Sequence, residues 1–112
     1  MTTIERHGPY STLINVFTVD PERATELAAM LNDATETVMR HVPGFVSANI
    51  HVSTDGTRVV NYAQWESEEA CHAMLADPAA RDHMAPAAAL AESFDPHFYV
   101  VESVHGVDSD GR

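Results

Sequence analysis

The sequence predicts an α+β fold in which helices lie on one face of a four-stranded sheet. Three observations predict it. β-rich runs alternate with runs of helical period in the order β-α-β-β-α-β. Asp55-Gly56 sits between two β-rich runs, a short-range hairpin signal. Asp20-Pro21, Ser67 and Asp77-Pro78 each stand where a helix should start.

Ser11–Thr18 is rich in β-formers and reads as the first strand. Ala24, Leu27, Ala28, Leu31, Ala34 and Val38 then recur at spacings of three and four, one apolar stripe on a helix running from Pro21 to about Arg40. Pro43-Gly44 stops it. Phe45–Ser53 and Val59–Trp65 form the hairpin. With Asp55-Gly56 as the two turn residues, both at positive φ, Val52 faces Val59, Ile50 faces Asn61 and Val46 faces Trp65. Ser67 caps the next helix, with Glu68 and Glu69 complementing its dipole. Asp77-Pro78 restarts a helix to about Glu92, which Pro86 should kink. His97–His105 reads as the last strand. This order is the ferredoxin-like split unit.

Composition narrows the function. The chain has 112 residues, the size of one domain, with residues 1–9 and 106–112 expected to be flexible and 10–105 to form the domain. A formal charge of −11 argues against nucleic acid and anionic membranes as partners. All six basic residues are arginines, so lysine Schiff-base chemistry is excluded. Cys71 is the single cysteine, which excludes an internal disulfide. The seven histidines form no H-x-x-x-H or H-E-x-x-H pair, and no metal site is expected. No glycine-rich phosphate loop follows a strand. The polar start and the absence of a long apolar run point to a cytoplasmic protein.

Alternation gives the hairpin two faces. One carries Val46, Ala48, Ile50, Val52, Val59, Asn61, Ala63 and Trp65 and should lie under the helices. Asn61 is its one fully polar side chain. A buried amide left unpaired costs about 1–3 kcal/mol, so Asn61 either bonds a neighbour or faces a cavity. Asn61 and Trp65 could frame a flat polycyclic molecule; the plainer alternative is a satisfied amide and a core indole. Asn15 shares a face with Leu13 and Phe17, and its strand should neighbour that of Asn61. The other face, with His51, Val60 and Tyr62, suggests cover by a second copy.

The run Asn61-Tyr62-Ala63-Gln64-Trp65-Glu66-Ser67, preceded by Ser53-Thr54-Asp55-Gly56-Thr57, resembles the antibiotic biosynthesis monooxygenase family, and within it the cofactor-free anthrone oxygenases of aromatic polyketide pathways. Leu13–Phe17, Pro43-Gly44-Phe45, Ala73–Pro78 and His83-Met84 fit the same resemblance, which spans about residues 11–104. The resemblance implies a homodimeric α+β barrel with a pocket between sheet and helices in each subunit. It implies catalytic roles for Asn61 and Trp65, with Asn15 as a second functional asparagine. Phe17, Leu31, Ile50, Met74 and His83 are the expected substrate-binding residues. The implied substrate is a small polycyclic aromatic molecule, oxidised by O₂ to a quinone with no cofactor. Some members place tyrosines where Ile50 and Cys71 stand and an arginine near Met84; their absence here leaves the substrate open.

Two alternatives share the fold. Haem-degrading monooxygenases use an asparagine, a tryptophan and a histidine at positions comparable to Asn15, Trp65 and His83. A non-catalytic small-molecule-binding protein would use Asn61 and Trp65 structurally.

Overall fold

The computed structural model describes residues 1–107. Strand β1 (Ser11–Thr18) leads through a single 3₁₀ turn (Pro21–Arg23) into helix α1 (Ala24–Thr37). A second 3₁₀ turn (Met39–His41) precedes the hairpin of β2 (Phe45–Val52) and β3 (Arg58–Trp65). Helices α2 (Glu68–Ala76) and α3 (Pro78–Leu90) and strand β4 (Ser93–Tyr99) complete the chain order. The sheet order is β2-β3-β1-β4 with every pairing antiparallel, the ferredoxin-like arrangement.

The expected caps are present. Asp20 Oδ1 accepts from the Glu22 amide at 3.0 Å, Ser67 Oγ from the Ala70 amide at 3.1 Å, and Asp77 Oδ1 from the Ala79 amide at 3.1 Å. The first helix is shorter than its stripe suggests. Val38 leaves helical geometry at φ −127°, so regular α-helix ends at Thr37 and the chain tightens into a 3₁₀ turn. Pro86 lies inside α3 without ending it.

The hairpin keeps the expected register over most of its length, with Val52 opposite Val59 and Ile50 opposite Asn61. Two details differ. Only Gly56 has positive φ, at 75°; Asp55 does not. The turn is a wider loop, closed by Ser53 N–H to Arg58 O at 2.9 Å and tightened by Gly56 N–H to Ser53 O at 2.9 Å. At the other end a β-bulge between Phe45 and Ser47 puts Phe45, not Val46, opposite Trp65. The bulge moves Val46 off the helix-facing row. The last strand also starts earlier than expected, at Ser93, and ends at Tyr99. It is an edge strand, where Pro96 costs no ladder bond on its open side. Of the expected tail at 106–112, residues 108–112 lie outside the described residues.

The core divides into two clusters beneath the helices. Phe17, Val19, Ala24, Leu27, Leu31, Val59 and Ala87 form one. Met39, Ala63, Trp65, Cys71, Met74 and Ala80 form the other. Leu27 is fully buried, and such burial contributes about 2–3 kcal/mol. The opposite sheet face is partly covered by the chain's own start. Gln64 Nε2 donates to Thr3 O at 2.7 Å, Asn49 Nδ2 donates to Thr2 Oγ1, and the buried Ser47 hydroxyl donates to Gln64 Oε1 at 3.1 Å.

Candidate active site

The seam between the two core clusters is where the sheet presents its polar pair. Asn15 on β1 and Asn61 on β3 are Cα partners across the ladder. Side chains of such partners stand on one face, about 4.5–5.5 Å apart at Cβ. Both line an inner cavity of about 60 Å³, whose other walls include Phe17 and Leu31 from one cluster and Ala63, Trp65 and Met74 from the other. The two carboxamides lie where residues of both clusters meet.

The two amides are in different states. Asn15 Oδ1 accepts from the Asp95 backbone N–H of β4 at 3.1 Å. Asn61 Oδ1 is buried and has no hydrogen-bond partner. Trp65 is 2% exposed and is held by Phe45, whose ring meets it edge-on at 5.5 Å and 87°. The bulge in β2 makes that contact by turning Phe45 to the helix side.

An outer cleft of about 220 Å³ adjoins the inner cavity. The two share Asn15, Phe17, Leu31 and Met84 as walls. The cleft is apolar, with exposed Phe94 and Leu75 at its rim and Phe94 stacked at a tilt on Phe17 at 6.1 Å. Neither hollow alone reaches the roughly 300 Å³ at which ligand pockets usually begin. The unbranched Met84 side chain is a wall common to both. A larger hollow of about 460 Å³ is walled by residues between Thr3 and Thr12 and by Phe98–Val101, beside Gln64, and neither Asn61 nor Trp65 borders it.

Among the sequence-derived site residues, Asn15, Asn61, Trp65, Phe17, Leu31 and Met74 come together around the inner cavity. Ile50 and His83 do not. Ile50 packs against the first core cluster beneath α1 and borders neither hollow. His83 stands on the exposed side of α3, with Nδ1 against the Ala79 carbonyl at 3.2 Å. The helical period of an alanine-rich segment fixed its existence but not its facing. Met84, Phe45 and Phe94 line the hollows and were not singled out. Met84 lies on the stripe Arg81, Met84, Ala85 and Ala88, all of which border the outer cleft. Cys71 is fully buried; that burial, then Glu68, pushes its thiol up to about 11, as for an inert packing residue.

Among the described residues, no group of three or more His, Cys, Asp or Glu side chains could hold a metal ion, and no helix is long and apolar enough to cross a membrane. Among the described residues, no Asp, Glu or His borders either hollow. What the seam offers is one committed carboxamide, one unpartnered carboxamide oxygen and an indole, in apolar surroundings.

Comparison with known proteins gives the family of the chain. The family model for antibiotic biosynthesis monooxygenases matches residues 11–86. Tetracenomycin-F1 monooxygenase of Streptomyces glaucescens is 52% identical over 83 residues, covering 74% of each chain. The structure of a monooxygenase from the gene ActVA-Orf6 of Streptomyces coelicolor, in complex with nanaomycin D, superposes with a TM-score of 0.78 at 33% identity, over 88% of this chain and 93% of that one. SnoaB, a cofactor-independent oxygenase from Streptomyces nogalater, shares the fold with a TM-score of 0.70 at 22% identity, over 89% of this chain and 98% of that one. With an unpartnered asparagine and a tryptophan on one wall of a split core, and with these matches across most of its length, this chain belongs to the antibiotic biosynthesis monooxygenase family.

Proposed function

We propose that this protein is a cofactor-independent monooxygenase that oxidises an anthrone-type polycyclic aromatic polyketide, or a related quinol, to a quinone with O₂. The single observation that carries the reading is the buried, unpartnered Asn61 Oδ1 in an apolar cavity beside Trp65 and Asn15. Buried polar atoms are nearly always satisfied, and an orphan on a residue that lines a cavity supports a guest at that place. The relatives support the choice of guest: one is named for tetracenomycin F1 and another holds nanaomycin D.

The chemistry asks little of the protein. An anthrone methylene is acidic because its carbanion is an aromatic phenolate. With no Asp, Glu or His on the walls, the proton leaves to water. The anion gives one electron to O₂, and the resulting radical pair combines to a peroxide. Loss of water then leaves the carbonyl, so that CH₂ plus O₂ becomes C=O plus H₂O. Asn15, whose oxygen is tied to Asp95, has only its N–H groups to offer and donates to the phenolate oxygen. Asn61 Oδ1 accepts from a substrate hydroxyl. The Trp65 indole stacks on the ring system or donates its N–H. A preorganised donor aimed at developing charge is worth about 3–4 kcal/mol.

The reading includes a cytoplasmic homodimer joined sheet to sheet, with no nucleic-acid or membrane partner. Half-buried Ile14, Val16, Val60 and Tyr62 on the sheet face away from the helices support that dimer. His83, the side chain a haem reading would use as ligand, lies outside the cavity wall, so no observation favours that reading.

The test is incubation of purified, metal-free protein with dithranol or emodin anthrone under air, following quinone absorbance. Turnover above background that is lost in Asn61→Ala and Trp65→Phe is expected. No rate above background across several anthrones overturns the reading.

A further inference from the structure

We infer that Arg81 is a specificity determinant that binds a carboxylate on the outer end of the aromatic guest; this rests on the aromatic-substrate reading above. Arg81 begins the stripe Arg81, Met84, Ala85, Ala88 that α3 turns toward the outer cleft. Among the described residues it is the one charged side chain bordering either hollow. No carboxylate borders the cleft, and Arg81 forms no ion pair among the described residues.

A structural role for this arginine is hard to find. Asp77, four residues earlier, is the natural helical ion-pair partner, but its carboxylate caps the Ala79 amide instead. The position lies near the start of α3, where the helix dipole disfavours a cation. Arg6, Arg23 and Arg58 also form no ion pair among the described residues, but of the described arginines Arg81 is the one that borders the apolar slot. Local choices that work against stability point to function. The slot then has a fixed polarity. Carboxamides meet the guest's hydroxyl and carbonyl groups at the inner end, and a guanidinium meets an anion at the outer end. A guanidinium fork matches a carboxylate with two parallel hydrogen bonds.

The test uses binding, not turnover. Trp65 is the chain's one tryptophan and borders the inner cavity, so quenching of its fluorescence reports occupancy. Anthraquinone-2-carboxylate and anthraquinone-2-carboxamide are titrated into wild type, Arg81→Gln and Arg81→Lys. Wild type is expected to bind the carboxylate about tenfold tighter than the amide. Arg81→Gln should erase that preference while leaving the amide's Kd within about twofold, and Arg81→Lys should keep part of it. Equal affinities in wild type, or a preference that survives in Arg81→Gln, overturns the inference and leaves the functional reading standing. If Arg81→Gln loses both ligands, Arg81→Lys decides, and a lysine variant with no carboxylate preference counts against the inference. Failure of both ligands to quench wild type overturns the inference together with the aromatic-binding reading beneath it.

Discussion

Asn15 and Asn61 face each other across β1 and β3, yet one carboxamide oxygen is committed to the Asp95 amide and the other is buried with nothing to bond. The pair lies where residues of both core clusters meet. An orphaned buried acceptor costs about 1–3 kcal/mol, so Asn61 is kept against stability. Asn61→Ala should remove that cost while opening a small void, leaving stability within about 1 kcal/mol of wild type. Anthrone turnover should fall about tenfold, as for one lost hydrogen bond to the substrate. Thermal unfolding and quinone formation measured on the same preparation check the split; a large loss of Tm would make Asn61 a structural residue.

Asn15 differs because its oxygen holds the edge strand. Asn15→Ala should cost about 0.5–1 kcal/mol, since the exposed Asp95 amide exchanges its side-chain acceptor for water. The loss should be local to β4. Hydrogen exchange is expected to accelerate at Asp95 and its neighbours and to stay unchanged in the β2–β3 hairpin. Uniform acceleration across the sheet would contradict this.

Met84 is the shared wall of the two hollows, unbranched and half-buried. Met84→Ala should merge them into one slot. Truncation of a half-buried methionine should cost about 1–2 kcal/mol, less than a fully buried one. KM for four-ring substrates should fall relative to that for three-ring ones. The ratio of kcat/KM for the two classes is the measurement, and an unchanged ratio would mean that the hollows do not join through Met84.

The hairpin was legible because two signals agreed. Asp-Gly marked the turn, and strict alternation fixed which residues face the helices, so the Ile50–Asn61 pair followed from counting. The bulge was hidden because Phe45 and Val46 are both apolar, and a shift of one leaves the pattern looking equally good. The start of β4 was hidden for the opposite reason. Asp95-Pro96 reads as a breaker, but an edge strand tolerates proline, and the Asp95 amide found a side-chain acceptor. The site asparagines stood out as polar residues on an apolar face. Arg81 and Met84 did not, since nothing in an alanine-rich helix says which side meets the sheet.

Asp55 organises the hairpin loop. Its Oδ1 accepts from the Thr57 hydroxyl at 2.7 Å, the Thr57 amide at 3.0 Å and the Ser53 hydroxyl at 2.7 Å. These bonds, with Thr57's hydroxyl the largest cause, lower its pKa from 3.8 to about 2. A carboxyl depressed in the folded state adds stability above the unfolded value, and that contribution is lost as pH falls from about 4 through about 2. The loop should loosen over that window. A carboxyl-carbon NMR titration should place Asp55 near 2, and Asp55→Asn should remove the acid-linked change in the Ser53 and Thr57 amide shifts. A midpoint near 3.9 would show that the loop bonds do not hold in solution.

Gly44 links the start of the hairpin to the site. It sits at φ +87°, and a Cβ placed there would meet the Ala70 Cβ at 2.5 Å, too close for either backbone to stay in place. Its carbonyl accepts from the Glu66 amide at 2.8 Å, which clamps the chain next to both Phe45 and Trp65. Gly44→Ala therefore has to distort the left-handed backbone and push α2 away from the sheet. The positive φ alone costs a non-glycine residue about 1–3 kcal/mol, and the contact with α2 adds to it. Because Phe45 holds the Trp65 ring, the strain should reach the cavity wall. Two readouts are expected to move together: Tm should fall, and Trp65 emission should shift to the red as the indole loses its dry packing. A lower Tm with unchanged emission would confine the damage to α2 and show that the Phe45–Trp65 contact does not depend on the clamp at Gly44.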